Sequence, residues 1–254
     1  MSRVTGERVT LLYWAFGQLT SDEQANGVEA EDFRQRCALV TKLELFLNTL
    51  PVPACLADYP NLKELQLHVQ NIPKPVGMTG MRQLQRLCMT ECGLSTMQGI
   101  DQCTQLMHLD LSSNRLSRME PAVLGELTNV RTLWLNENPI AEIQGLERLT
   151  RLHSLWLART GVSYISDVLE SNVALTDLNL AASAIANFKD IPNLARLRLL
   201  SSLALSDPHF GDSPVCSLCN YQTYLLFHLQ QLNVLDVRTP HTTQHRRRCK
   251  QSLL

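Results

Sequence analysis

One apolar pattern recurs along this chain at nearly constant intervals, and nothing else in the sequence constrains the fold as tightly. Its template is L-x-x-L-x-L-x-x-N-x-L, with other apolar groups admitted for Leu. The template is met at Val40-Leu43-Leu45-Asn48-Leu50, Leu62-Leu65-Leu67-Gln70-Ile72 and Leu84-Leu87-Met89-Cys92-Leu94. It continues at Leu106-Leu109-Leu111-Asn114-Leu116, Val130-Leu133-Leu135-Asn138-Ile140, Leu152-Leu155-Leu157-Thr160-Val162 and Leu175-Leu178-Leu180-Ser183-Ile185. Leu200-Leu203-Leu205 opens a degenerate unit that ends at Pro208 and Phe210, and Leu232-Leu235-Val237 is a partial one. From Leu43 to Leu235 the second apolar position advances by 22, 22, 22, 24, 22, 23, 25 and 32 residues. Chance does not produce that series.

In x-L-x-L-x the side chains alternate, so both leucines point inward and their neighbours point outward from a short strand. Stacked units pair strand with strand in a parallel sheet over one continuous core. The Asn position turns the chain off the strand, and its amide can satisfy backbone groups that the turn leaves unpaired. Cys92, Thr160 and Ser183 stand there in other units with smaller hydrogen-bonding groups. A buried Leu contributes roughly 1.5–3 kcal/mol, against about 1–2 kcal/mol of chain entropy per residue. A lone unit cannot fold; a stack that shares its surfaces can. The expected class is therefore α/β: a solenoid wound as a right-handed superhelix, with a concave parallel sheet. Units of about 22 residues leave room on the convex side only for short helices or 3₁₀ turns, with a fuller helix expected over 163–172.

Open ends of a stack need caps. Val9, Leu11, Leu12, Trp14 and Phe16 form an apolar block too short for a membrane span and without a signal-peptide cleavage site. Ser21-Asp22-Glu23-Gln24 after it has capping-box spacing. The division expected is a helical cap over 1–39, repeats over 40–210, a second cap over 211–238 and a basic, disordered tail over 239–254. That tail holds Arg246, Arg247, Arg248 and Lys250 without an acidic residue. A nuclear-import signal, an RNA-backbone contact and a strip meeting acidic tubulin tails are its functional readings, and a solvated, disordered end is the plain one.

The second cap carries Asp207-Pro208, then Pro214-Val215-Cys216, Asn220-Tyr221, an apolar helix and Leu232-x-x-Leu235-Asp236. This series resembles the C-terminal cap of the intracellular leucine-rich repeat class that includes the protein phosphatase-1 regulatory subunit and the U2 small nuclear ribonucleoprotein A-prime type. With Phe188-Lys189 added, it is similar more narrowly to the first array of the leucine-rich repeat-containing protein nine family. The likeness spans about residues 10 to 237. It implies a leucine-rich repeat solenoid in the cytoplasm, with a cilium or flagellum as its setting. Members of that family are longer and carry further arrays; a shorter paralogue or a fragment would account for the difference.

Recognition should use the outward side chains of the strands. Glu44, Gln66, Cys88, Asp110, Trp134, Trp156, Asn179, Ala204 and Asp236 stand between, or just past, the inward positions of successive units. Trp134 and Trp156 hold the same place in neighbouring strands, so their backbones should lie ~4.8 Å apart. Tryptophan is enriched at binding hot spots. Together with His108, Asp110, Asn136, Glu137, Arg159 and Asn179, the two form the expected partner-binding set, flanked by Ser112, Thr132 and Ser154. The alternative is that the rings stack on each other merely to shield the sheet.

Other chemistry finds little footing. Charges nearly balance, Lys+Arg 23 against Asp+Glu 24, so no whole-molecule field gathers nucleic acid or acidic membrane. Eight cysteines show no framework repeated from unit to unit, which favours a reducing compartment. Cys216-x-x-Cys219 lacks the second pair that a structural zinc site commonly uses, so core packing is expected, with metal or redox use as the alternative. His241, His245 and Cys249 share a spacing of four, but they fall in the tail. No phosphate loop, G-x-S-x-G or paired-carboxylate site occurs, so neither catalysis nor a cofactor is expected. What remains is an adaptor for a protein partner: an axonemal or cytoskeletal protein, or a phosphatase catalytic subunit, with a ribonucleoprotein role as a further alternative.

Overall fold

The computed structural model describes residues 9–11, 37–46, 56, 59–69, 71–75, 77–78, 80–165 and 167–236. Strands β1 (Val9–Leu11), β2 (Lys42–Phe46), β3 (Glu64–His68), β4 (Arg86–Thr90) and β5 (His108–Asp110) follow one another in parallel. The series goes on through β6 (Thr132–Trp134), β7 (Ser154–Trp156), β8 (Asp177–Asn179) and β9 (Ser202–Ala204). A small antiparallel hairpin, β10 (Ser206–Asp207) with β11 (Gly211–Asp212), stands apart, and β12 (Val234–Leu235) closes the sheet beside β9. Each leucine of the ladder faces its counterpart: Leu43 with Leu65, Leu65 with Leu87, and so on to Leu203 with Leu235. The fold is the parallel-sheet solenoid that the periodicity predicts.

Alternation accounts for the core. From Leu43 and Leu45 through Met89 to Leu203 and Leu205, the inward pair of every strand is at most 1% exposed. The convex side is irregular, as a short unit requires. It holds helix α1 (Pro121–Leu124) and 3₁₀ turns at Asp167–Ser171 and Ile191–Arg196. Where a fuller helix was expected over 163–172, the described residues make only the first of those turns, because the unit is a single residue longer than its 22-residue neighbour. Gly145 packs so closely on α1 that a Cβ there would lie 2.7 Å from Pro121 Cα, and its φ of 76° lies in the left-handed region that a Cβ disfavours.

The Asn position works as a staple between turns. Asn114 Oδ1 accepts from the backbone N–H groups of Cys92 and Leu94, both at 3.0 Å, in the preceding unit. Its Nδ2 donates to the carbonyls of Met89 and Leu111 at 2.7 and 2.8 Å. Asn138 repeats the arrangement, accepting from Leu116 N and donating to Leu111, Leu135 and Asn136 carbonyls. Thr160 keeps one such bond, to Leu157 O at 2.7 Å. Ser183 is served instead by Ser213 of the C-terminal segment, whose hydroxyl accepts from Ser183 N and donates to Leu180 O.

Just before this position the backbone enters the left-handed region at Val69, Glu91, Ser113, Glu137, Arg159 and Ala182, with φ between 51° and 57°. No glycine marks any of these sites.

Of the residues expected to form a helical cap, Val9–Leu11 make a strand that extends the sheet, while Cys37 and Ala38 are helical. The remainder of 1–36 and the basic tail lie outside the described residues. At the other end a 3₁₀ turn at Pro214–Ser217 leads into helix α2 (Tyr221–His228).

Candidate functional site

Strands β5 to β8 bring the expected recognition residues into a row. Asp110 is the register partner of Trp134, Trp134 of Trp156, and Trp156 of Asn179. The two indoles stack with ring centroids 5.0 Å apart and planes inclined by 26°. Both are half-buried. Such a stack contributes about 0.5–1.5 kcal/mol beyond its burial.

Their polar edges differ. Trp156 Nε1 donates to Asp177 Oδ2 at 2.5 Å, and Ser154 Oγ donates to the same oxygen at 2.9 Å. Trp134 Nε1 is buried without an acceptor among the described residues. An unpaired buried N–H costs about 1–3 kcal/mol. Asp177 was absent from the sequence-derived set, although an indole pair half-buried on a strand face calls for an acceptor one strand on.

The neighbours divide into accessible and sealed groups. His108 and Asp110 are half-buried. Burial, and then the positive charges of Arg86 and Arg131, hold the His108 imidazole below its usual value, with Glu64 opposing. Asp110 Oδ1 accepts from Ser112 N at 3.0 Å, and its Oδ2 faces the Cys88 thiol at 3.7 Å. Burial first, then the Asp110 charge, pushes the Cys88 thiol up to about 12, so it is not a nucleophile at neutral pH. Glu137 and Arg159 sit at consecutive left-handed positions and pair at 3.0 Å. Ser113 Oγ donates to Glu137, and Arg159 Nε donates to Phe210 O at 3.0 Å, which ties the row to the β10–β11 loop.

Asn136 and Asn179, by contrast, are only 6% and 3% exposed. Asn136 Oδ1 accepts from Ala158 N, and Asn179 Oδ1 accepts from Ala181 N, so both amides are spent on the turns leaving the strands. Glu44, Ala204 and Asp236, expected to face outward, are buried as well. Asp236 accepts from the backbone of Leu205 and Ser206 and from Tyr221 Oη, so it locks the C-terminal turn.

Cys216 packs against the core and its thiol donates to Leu205 O at 3.3 Å, while Cys219 is exposed; neither is in a disulfide. Among the described residues no group of three metal-ligating side chains is found. His241, His245 and Cys249 lie outside them. A hollow of about 420 Å³ lined by Arg82, Asp101, Gln102, Thr104 and Glu126 lies away from the strands. No described helix is long and apolar enough to cross a membrane.

Comparison with known proteins agrees with this architecture. The chain is 27% identical over 129 residues to the U2 small nuclear ribonucleoprotein A' of Aspergillus fumigatus, covering 50% of this chain and 48% of the relative. It is 29% identical over 114 residues to an acidic leucine-rich nuclear phosphoprotein 32-related protein of Plasmodium falciparum, covering 42% and 40%. The match thus spans less than half the length of either relative. Among solved structures, an internalin of Listeria monocytogenes superimposes with a TM-score of 0.61 at 22% identity, over 83% of this chain and 57% of that one. A leucine-rich repeat protein of Leptospira interrogans gives 0.62 at 20% identity, with the same coverage. At such identities the likeness concerns the fold alone. Residues 108–253 match the family model described as leucine-rich repeat, more than half of the chain, and the protein belongs to the leucine-rich repeat family.

Proposed function

We propose that the chain is a non-enzymatic scaffold that holds a protein partner on its concave sheet, anchored on Trp134 and Trp156. One observation carries this reading: two stacked, half-buried indoles in the middle of a sheet whose other outward groups are mostly polar. A large aromatic surface with little side-chain entropy left to lose is the usual anchor of an interface. His108, Asp110, Glu137 and Arg159 form its polar surround. The buried Asn136 and Asn179 hold the turns and do not touch the partner. An intracellular setting is supported by the cysteine pattern and by the likeness to the U2 A' protein, whereas an axonemal or cytoskeletal partner rests on the resemblance of the C-terminal segments alone.

Affinity capture tests the reading with the wild type, Trp134→Ala/Trp156→Ala, and Arg148→Ala at an exposed pair elsewhere. The double variant should lose specific partners by at least roughly tenfold, with its circular dichroism and urea midpoint showing a folded chain; Arg148→Ala should keep them. Undiminished capture by the folded double variant rejects the proposal.

A second reading, a module of a ribonucleoprotein, is favoured by the likeness to the U2 A' protein. A ribonucleoprotein among the captured species, released steeply as salt rises, would select it.

A further inference from the structure

The indole pair is bracketed by two carboxylates. Asp110 lies on β5 beside Trp134, and Asp177 lies on β8 opposite Ser154. Three strand spacings, about 14 Å, separate their backbones, with both rings between them. Both carboxylates are half-buried, and neither is matched by a cation among the described residues. The ion pairs of the described residues are made elsewhere, by Lys42 with Glu64, Arg148 with Glu126, Arg159 with Glu137 and Arg196 with Glu170. Each carboxylate also keeps an acceptor to offer. Asp177 Oδ2 serves Trp156 and Ser154, whereas no bond is described for its Oδ1. Asp110 Oδ2 has only the long contact with the Cys88 thiol.

We infer that this platform of Asp110, Trp134, Trp156 and Asp177 receives an arginine side chain of the partner, an assignment that rests on the partner-binding reading of the same face. Complementarity of charge requires a cation: an anionic group would meet two uncompensated carboxylates, and a neutral one would leave them uncompensated in a drier setting. Geometry selects arginine over lysine. A guanidinium is planar, lies flat on an indole and offers N–H groups in its own plane to carboxylates at the side. An ammonium has no plane to lay along the ring and brings its three donors to a single point.

The full chain, labelled with ¹⁵N, is titrated with an acetylated pentapeptide carrying one arginine between leucines. Two sister peptides carry citrulline or lysine in its place. The indole N–H resonances, assigned through Trp134→Phe and Trp156→Phe, should shift and saturate with the arginine peptide. Affinity should fall roughly tenfold for citrulline, for lysine, and for the arginine peptide on Asp110→Asn/Asp177→Asn, which keeps the side-chain shape. An equal response to the three peptides, or none at millimolar concentration, overturns the inference. Protein capture separates the two levels. Partners lost by the double tryptophan variant yet fully kept by Asp110→Asn/Asp177→Asn leave the binding face standing and remove the arginine. If the tryptophan variant loses nothing, both fall.

Discussion

The hydroxyl of Tyr221 donates to the carboxylate of Asp236 at 3.2 Å, across the last turn of the stack. Both groups are buried, and the same carboxylate accepts from Leu205 N and Ser206 N at 3.0 Å. Tyr221→Phe therefore removes one charge-assisted bond and leaves the backbone groups satisfied. It should cost about 1.5–3 kcal/mol in urea unfolding. Asp236→Ala strands all three donors and should cost more. Burial first, then the Asp236 charge, pushes the Tyr221 hydroxyl far above its ordinary value, so its phenolate absorbance should develop only as the protein unfolds in alkali. Equal midpoints for the two variants would show that the cap is held by packing instead.

Asn138→Ala should be among the more damaging single changes in the array. The amide accepts from Leu116 N and donates to three carbonyls, all in the dry interior. Each orphaned buried group costs about 1–3 kcal/mol, so a loss above about 2 kcal/mol is expected from the urea midpoint. Thr160→Ala, which forfeits a single bond to Leu157 O, should cost less than half as much. A reversed order would mean that the amide ladder does not hold the turns together.

At Glu91 the backbone has φ 54°, and the side chain is exposed. A left-handed conformation costs a residue with a Cβ roughly 1–2 kcal/mol, while glycine gives back about 0.5–1 kcal/mol in unfolded-state entropy. Glu91→Gly should thus raise stability by about 0.5–1 kcal/mol, and Glu91→Val should lower it. Thermal unfolding of the two variants decides; destabilisation by glycine contradicts the strain.

His108 predicts a pH slope. Its imidazole is held below 6.5 in the folded chain, by burial first and by Arg86 and Arg131 next. Around that pH the unfolded chain binds more protons, so stability rises with pH. The contribution is complete above 6.5 and is lost as the pH falls towards the lowered folded value. His108→Asn should flatten the urea midpoint across this window. An unchanged slope would place the titration on another group.

The sheet was legible because the leucine ladder is a register in itself: shifting any strand by one residue would expose Leu133 or Leu155 and bury a tryptophan. The alternation also placed the two indoles side by side. It could not show which polar groups were already engaged. Asn179 and Asp110 occupy equivalent positions and both accept from the backbone two residues on, yet only the asparagine is sealed. Asp207 lies within reach of its amide at 3.5 Å, brought there by a hairpin 28 residues away. The left-handed positions were silent because Val69, Glu91, Ser113, Glu137, Arg159 and Ala182 share no chemistry; the stack imposes that conformation, not the local sequence. Strand β1 was masked by the capping-box spacing that follows it at Ser21, which drew Val9–Leu11 into a helical reading.

Among the described residues every strand of the main sheet bonds only to its neighbours in the stack, and no long-range tie spans the whole array. A pull on the two ends would accordingly peel the coil one turn at a time, each yielding at a similar force, and the detached turns could rewind without waiting for the rest. Such a body behaves as a shallow spring, and its curvature, hence the spacing of whatever it grips, is set turn by turn.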